Sequence, residues 1–319
     1  MHSTTPGACH ERGVALITAL LVVALATVAA VAMATRLHVD LRRAGNLLHG
    51  EQAYAYALAA ESWAQVILKR DADDNQVDSM QDDWATSIPP IAVEGGMVSG
   101  QVSDLQGRFN VNNLVTDTGK VDQPSLDYFR LLLERLGLEQ TLATALLDWI
   151  DSDINATFPG GVEDEDYLLA DPPYRAANRR LVDISELRLV QGYTADIIAV
   201  LAPHVTAIPE ATQININTAT LEVLLALNKD LEASAVDDLV EAREQEVYES
   251  VDDFLAEDAL AGLVLAVPVS VQSEWFMVLT DVVVGGGRAR LQSIVQREGQ
   301  ATRVIMRTRG QHYLMPAQG

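Results

Sequence analysis

The chain has 319 residues, 49% of them hydrophobic and 21% charged, with one cysteine and a formal charge of −23. That balance supports a folded protein of more than one domain and excludes wholesale disorder. So acidic a surface repels nucleic acid and anionic lipid and suits cations or an extracytoplasmic setting. The lone Cys9 precedes the body of the chain, which excludes an intrachain disulfide, a Cys-based zinc site and a Cys/His nucleophile there.

The first element is an apolar run from Val14 to Ala34, 21 residues interrupted only by Thr18 and Thr27. As a helix it covers roughly 30 Å, enough to cross the hydrocarbon core of a bilayer. Three fates are open to it. Small residues at Ala30–Ala34 fit a signal-peptidase site, the length fits an uncleaved anchor, and Gly13 stands directly before the first apolar residue. Gly13 followed by "VALITALLVV" resembles a type IV prepilin leader. That likeness implies cleavage between Gly13 and Val14 by a prepilin peptidase, with the apolar helix retained.

Helical spacing continues through Leu37, Leu41, Leu48, Leu58, Trp63 and Ile67 without proline, predicting one long helix. The acidic stretch "DADDNQVDSMQDDW" ends it, and the pair Pro89–Pro90 marks a break. "GMVSGQVSD" and "GRFNVNNLV" read as strands. From Lys120 to about Pro268 the pattern changes to short capped helices, among them "PSLDYFRLLLERLGL", "EQTLATALLDWID", "DISELRLVQGY" and "TADIIAVLAPHV". Three β-rich runs close the chain, turning at Gly285–Gly287 and Glu298–Gln300; their six arginines from Arg288 to Arg309 read first as a solvated face. Strands on both sides of a helical block predict an α+β domain carrying an insertion.

The most pointed chemistry lies in "LLDWIDSDINATFPGGVEDEDY". Seven carboxylates fall within the 19 residues from Asp148 to Asp166, folded back by Gly160–Gly161. Such a set must be solvated or neutralised. Hard oxygen ligands without His or Cys suit Ca²⁺ and not zinc. Asp151-x-Asp153-x-Asn155 imitates an EF-hand opening, but Ala156 stands where that loop needs glycine and Val162 where it needs glutamate. The residues alone leave two readings: a solvated acidic loop or an irregular calcium site.

The ordered set "DLQGRFNVNNL", "DWIDSD", "PGGVEDEDY", "PPYRAAN", "ISELRLV" and "ININTATLEVL" resembles the K-type minor pseudopilins of type II secretion, also called general secretion pathway protein K. The resemblance runs from Gly13 to the carboxyl end. It implies a pilin-like α+β fold, a long N-terminal helix plus antiparallel sheet, with a large inserted all-α domain containing SAM-like or helix-hairpin-helix-like units. The corresponding divisions are 1–13 leader, 14–35 membrane and assembly helix, 36–113 first pilin-like part, 114–210 insertion with the acidic loop, 211–270 second helical unit and 271–319 closing sheet. It also implies two calcium ions, with Asp148, Asp151, Asp153, Glu163, Asp164, Asp166 and, more weakly, Asn178 as candidate ligands. Most pilins carry glutamate at the fifth mature position. Here it is Thr18, as in the K-type subclass.

By the same resemblance the chain is a non-enzymatic subunit at the pseudopilus tip, initiating or capping assembly for export of folded proteins. Its expected partners are the I- and J-type minor pseudopilins, the major pseudopilin and the prepilin peptidase. The expected location is the inner membrane, crossed once, with the body in the periplasm. An alternative is a membrane-tethered periplasmic calcium-binding module unrelated to pili. "TATLEVLLALNKDLEASAVDDLV" imitates a DNA-binding helix-hairpin-helix, yet its turn lacks the glycines whose amides reach phosphate, so no nucleic-acid partner is expected. His38, His49, His204 and His312 are scattered and no phosphate loop, nucleophile elbow or HExxH is present, so a hydrolase ranks far behind.

Overall fold

The computed structural model describes residues 11–310. Most of the leader, with Cys9, His2 and His10, and the end of the closing segment, with His312, lie outside the described residues.

Helix α1 (Glu11–Asp74) is a single run of 64 residues and contains both Gly13 and Val14. Its first half is bare: Val14, Leu25 and Met33 are each more than 60% exposed, and the most apolar window has a mean hydropathy of 2.8. The hydroxyls of Thr18 and Thr27 donate back to the carbonyls of Ala15 and Val23 at 3.0 and 2.8 Å. Neither hydroxyl is therefore left unsatisfied toward an apolar surrounding. Its second half buries Ala53, Ala57, Ala64 and Leu68, spaced four, seven and four apart, against a sheet.

Strands β1 (Ile88–Val93) and β2 (Gly96–Asp104) form the first hairpin of that sheet. The chain then leaves and builds an insertion. In order come β3 (Phe109–Asn110), α2 (Gln123–Arg135), α3 (Thr141–Ile150), α4 (Asp164–Tyr167), α5 (Ala195–Leu201), β4 (Val205–Thr206), β5 (Ile214–Asn215), α6 (Leu221–Leu225), α7 (Ala233–Gln245), α8 (Val251–Leu255) and β6 (Val269–Ser270). Strands β7 (Trp275–Val284), β8 (Gly287–Glu298) and β9 (Ala301–Arg309) then complete an antiparallel sheet of order β1-β2-β7-β8-β9.

The glycine turn between β7 and β8 sits on α1 at His49 and Gly50. The Gly286 amide donates to His49 Nδ1 at 3.2 Å, and a Cβ on Gly287 would lie 2.5 Å from the Gly50 nitrogen. The opposite end of the sheet, where Asp104 and Trp275 hold the insertion, lies by the carboxyl end of α1: Arg297 donates to the Leu68 carbonyl at 3.2 Å. The insertion is thus mounted at the end farthest from the apolar stem.

Buried polar groups stitch that junction. Arg297 bonds Asp71 at 2.8 Å and grips both oxygens of Asp78. Asn215 Nδ2, from β5 of the insertion, donates to Ser273 Oγ at 2.9 Å and to Asp104 Oδ2 at 3.2 Å. Ser273 Oγ in turn donates to that Asp104 oxygen at 2.7 Å.

Several expectations need correction. The insertion is helix-rich but not all-α, because β3 pairs with β4 and β5 with β6, both in parallel. One apolar cluster, from Phe109 to Val269, spans the expected 114–210 and 211–270 pieces. Phe109, Val111 and Leu114 belong to that cluster, so the first pilin-like part ends at Asp104 and not at residue 113. Pro89 and Pro90 lie inside β1, an edge strand, at the register shift between Ile88 and Ile91 where regular pairing with β2 is interrupted. The "DISELRLVQGY" helix is a short 3-10 turn, Ile184–Leu189, capped reciprocally by Asp183 and Glu186.

Candidate metal centre

The acidic loop starts at the end of α3. Nine of that helix's ten residues are buried, including the carboxylate-bearing Asp148 in its last turn, and Asp151 follows as the cap. Asp148 Oδ2 accepts the Thr157 amide at 2.9 Å, and the Gly161 amide reaches the Thr157 carbonyl at 2.8 Å. Together these fold the loop back on the helix. Only glycine fits at the return, because a Cβ on Gly161 would lie 2.2 Å from Asp148 Oδ2. That places Glu163, buried, beside Asp151, also buried, and the exposed Asp153; one carboxylate oxygen from each lies within 4.8 Å of the others.

The decisive feature is what these oxygens lack. Asp148 Oδ1, Asp151 Oδ1, both oxygens of Glu163 and Asn178 Oδ1 are buried without a hydrogen-bond partner. Asn178 is held beside them by its amide, which donates to the Trp149 carbonyl at 2.9 Å, and it is the non-glycine residue of positive φ (45°) among those described. Asparagine tolerates that left-handed backbone better than most residues.

The electrostatics match. Burial, reinforced by Asp148 and Asp151, pushes Glu163 up to about 7. Burial, with Asp153 and Asp148, pushes Asp151 up to about 6. Asp148 is raised for the same first reason. Five unpaired buried oxygens, all hard and none from nitrogen or sulfur, fit Ca²⁺. The other candidates stand apart. Asp164 is occupied, accepting the Ala176 amide at 3.0 Å and pairing with Arg175 at 3.1 Å. Asp166 is exposed on α4. Asp153, by contrast, joins the cluster from its exposed side, and its Oδ1 accepts the Asn155 amide at 2.8 Å.

The return through Thr157 and the fit at Gly161 were not legible beforehand, although the Gly160–Gly161 pair signalled a turn. A second carboxylate set escaped sequence reading. Asp71, Asp78 and Asp82 also converge within 4.8 Å, but Arg297 fills that site. The arginines of the closing strands are correspondingly not a plain solvated face. Arg288 and Arg290 both pair with Asp281, and Arg307 pairs with the buried Glu61 of α1.

Comparison with known proteins identifies the surroundings of this loop. Two family models, both described as type II secretion system protein K, match residues 107–210 and 214–272. The chain belongs to the type II secretion system protein K family. The relative from Pseudomonas aeruginosa is 38% identical over 94% of this chain and 93% of its own. That from Klebsiella pneumoniae is 34% identical over 96% and 98%. Among solved structures, the crystal structure of the GspK–GspI–GspJ complex from enterotoxigenic Escherichia coli matches with a TM-score of 0.76 and 27% identity. It covers 85% of this chain and all of that one. The fold built above, a long helix on an antiparallel sheet, is the fold of that relative, and family membership makes the chain a component of a secretion machine.

Proposed function

We propose that this protein is a minor pseudopilin at the tip of the type II pseudopilus, where it initiates or caps assembly for export of folded proteins. The observation that carries this reading is the placement of the insertion. It adds some 170 residues, 105–274, at the end of the sheet remote from the stem. A subunit so crowned accepts neighbours along its helix and none above its head. Thr18 agrees: with its hydroxyl turned to the Ala15 carbonyl, the stem offers no carboxylate to the amino terminus of a subunit stacked above. By analogy with the complex in its structural relative, the side partners are the I- and J-type minor pseudopilins. The exposed apolar half of α1 first lies in the inner membrane, after cleavage between Gly13 and Val14, and then packs on neighbouring stems.

The insertion is made rigid by Ca²⁺ held by Asp148, Asp151, Glu163 and the Asn178 carbonyl, with Asp153 completing the set from solvent. Bound there, the ion supplies charge neutralisation and nothing catalytic. The unpaired oxygens support one ion; a second, with Asp164 and Asp166, rests on family resemblance. The test is co-expression with the prepilin peptidase and the I-, J- and major pseudopilins. A mature chain starting at Val14 that co-purifies with the I- and J-type subunits, and without which no pseudopilus forms, is the expected result. An uncut chain that binds neither partner favours the tethered module instead.

A further inference from the structure

Resting on the reading of the stem as a membrane anchor, we infer that Arg36, Arg42 and Arg43 form a collar that binds the phosphate groups of anionic lipid where α1 leaves the bilayer. The chain carries a formal charge of −23, yet residues 35–50 hold these three arginines and a single acid, Asp40. All three are exposed. Arg43 makes only a loose pair with Asp40, at 3.9 Å with both side chains open to solvent. Among the described residues Arg36 and Arg42 pair with no carboxylate. This reversal of sign is not a topology signal. In a chain whose body is exported, arginine gathers on the side that stays behind. Here residues 1–13 hold one, Arg12, and cleavage before Val14 removes it.

Their place on the helix fits the headgroup layer. The apolar run ends at Ala34. At about 1.5 Å per residue, Arg36 stands about 3 Å beyond it and Arg43 about 14 Å, while that layer is about 5–8 Å deep. Side chains on a helix incline toward its amino end, here the membrane side, and long arginine stems snorkel back to the layer. Arg36 and Arg43, seven residues apart, share a face of α1, and Arg42 lies about a third of a turn round. The three are thus spread around the helix instead of lining a seam for one neighbouring stem.

Chemistry selects phosphate. The stretch 35–50 has arginine and no lysine, and the guanidinium fork matches a phosphate with two parallel hydrogen bonds. The acidic body is itself repelled by an anionic bilayer, so the collar holds the waiting subunit at the surface against that repulsion.

The test reconstitutes the full chain into nanodiscs of mixed phosphatidylglycerol and phosphatidylcholine and counts the lipids it retains by native mass spectrometry. Phosphatidylglycerol should be enriched by on the order of tenfold or more, since each basic residue at the surface contributes about fivefold. The enrichment should shrink as salt is raised. In the triple variant Arg36→Gln/Arg42→Gln/Arg43→Gln it should fall to near none, with melting of the body unchanged because the three side chains touch nothing in it. Enrichment that survives in the triple variant overturns the collar; if that variant also loses its I- and J-type partners, the arginines face a neighbouring stem instead. A wild-type chain that enters the discs without enriching phosphatidylglycerol overturns the collar alone. A chain cut after the apolar run, and so absent from the discs, overturns the anchor reading and the collar with it.

Discussion

At the domain junction Asp71 and Asp78 are buried around Arg297, while in the insertion loop Asp148, Asp151 and Glu163 are buried around nothing the chain supplies. Both sets cost desolvation, and burial raises the protonation of Asp71, Asp78, Asp151 and Glu163 alike. The difference lies in the counter-charge. The junction carries its own guanidinium, so it is complete as soon as the chain folds. The loop leaves five oxygens unpaired, and on the proposed reading a cation from outside completes it. A fixed internal pair suits a joint that must never open, and an exchangeable ion suits a loop assembled after export.

Removing the internal cation is the harshest test of that contrast. Arg297→Met should destabilise the protein by about 3–5 kcal/mol, because Asp71 and Asp78 remain buried without a partner. Urea unfolding of the soluble body measures it. Adding Asp78→Asn should recover part of the loss, and Arg297→Met should gain a calcium response that depends on Asp71 and Asp82. An unaltered midpoint in Arg297→Met would mean the junction is not held by charge.

The loop should show the opposite pattern. Calcium at a hundredfold excess over its dissociation constant should stabilise the wild type by about 2.7 kcal/mol. Asp151→Asn should abolish most of that response and yet leave the metal-free protein no less stable, since it removes one of three mutually repelling carboxylates. If metal-free Asp151→Asn melts well below the metal-free wild type, the carboxylate is structural in its own right and the contrast fails.

How much of this was legible follows from the range of the interactions. The long helix, the three closing strands, α2 and α3 announce themselves through periodicity within a dozen residues. The acidic loop was visible for the same reason: its proposed ligands fall between Asp148 and Glu163, with only Asn178 farther on. Strand β1 was hidden by its two prolines; of the strand read in "GRFNVNNLV" only Phe109–Asn110 is β3, the rest turning as a 3-10 helix at Val111–Leu114; and β4 to β6 are two residues long, too short for any alternation to register. The fate of Arg297 was illegible because its partner Asp71 lies 226 residues away; the neighbouring arginines give the same alternation whether they face water or a carboxylate. Asn178 could be named only weakly, since nothing in "PYRAANRR" reveals the left-handed backbone that aims its carbonyl.

A milder perturbation, pH, separates the two states of the loop. In the metal-free protein Glu163 titrates near 7 against an ordinary 4.5, so between those values the folded state keeps a proton that the unfolded state has released. Stability of the metal-free protein from this group should therefore be greatest at or below about pH 4.5 and fall as pH rises to about 7. Calcium must displace that proton, so its stabilising effect should grow over the same interval. Melting curves with chelator and with calcium should thus diverge as pH increases. Parallel curves would mean Glu163 does not touch the ion.

The smallest expected effect belongs to Asp164, which resemblance groups with the ligands and geometry does not. Its oxygens are engaged by the Ala176 amide and by Arg175, whose side chain is 73% exposed. An ion pair that open contributes little, so Asp164→Asn should cost under about 1 kcal/mol. If the carboxylate serves only to hold the segment leading to Asn178, the calcium dissociation constant should shift by only a few fold, as a carbonyl two residues beyond Ala176 is slightly misplaced. Loss of calcium binding comparable to Asp151→Asn, measured by titration calorimetry on both variants, would instead make Asp164 a ligand that must turn away from Arg175, and would give the second expected ion its first carboxylate.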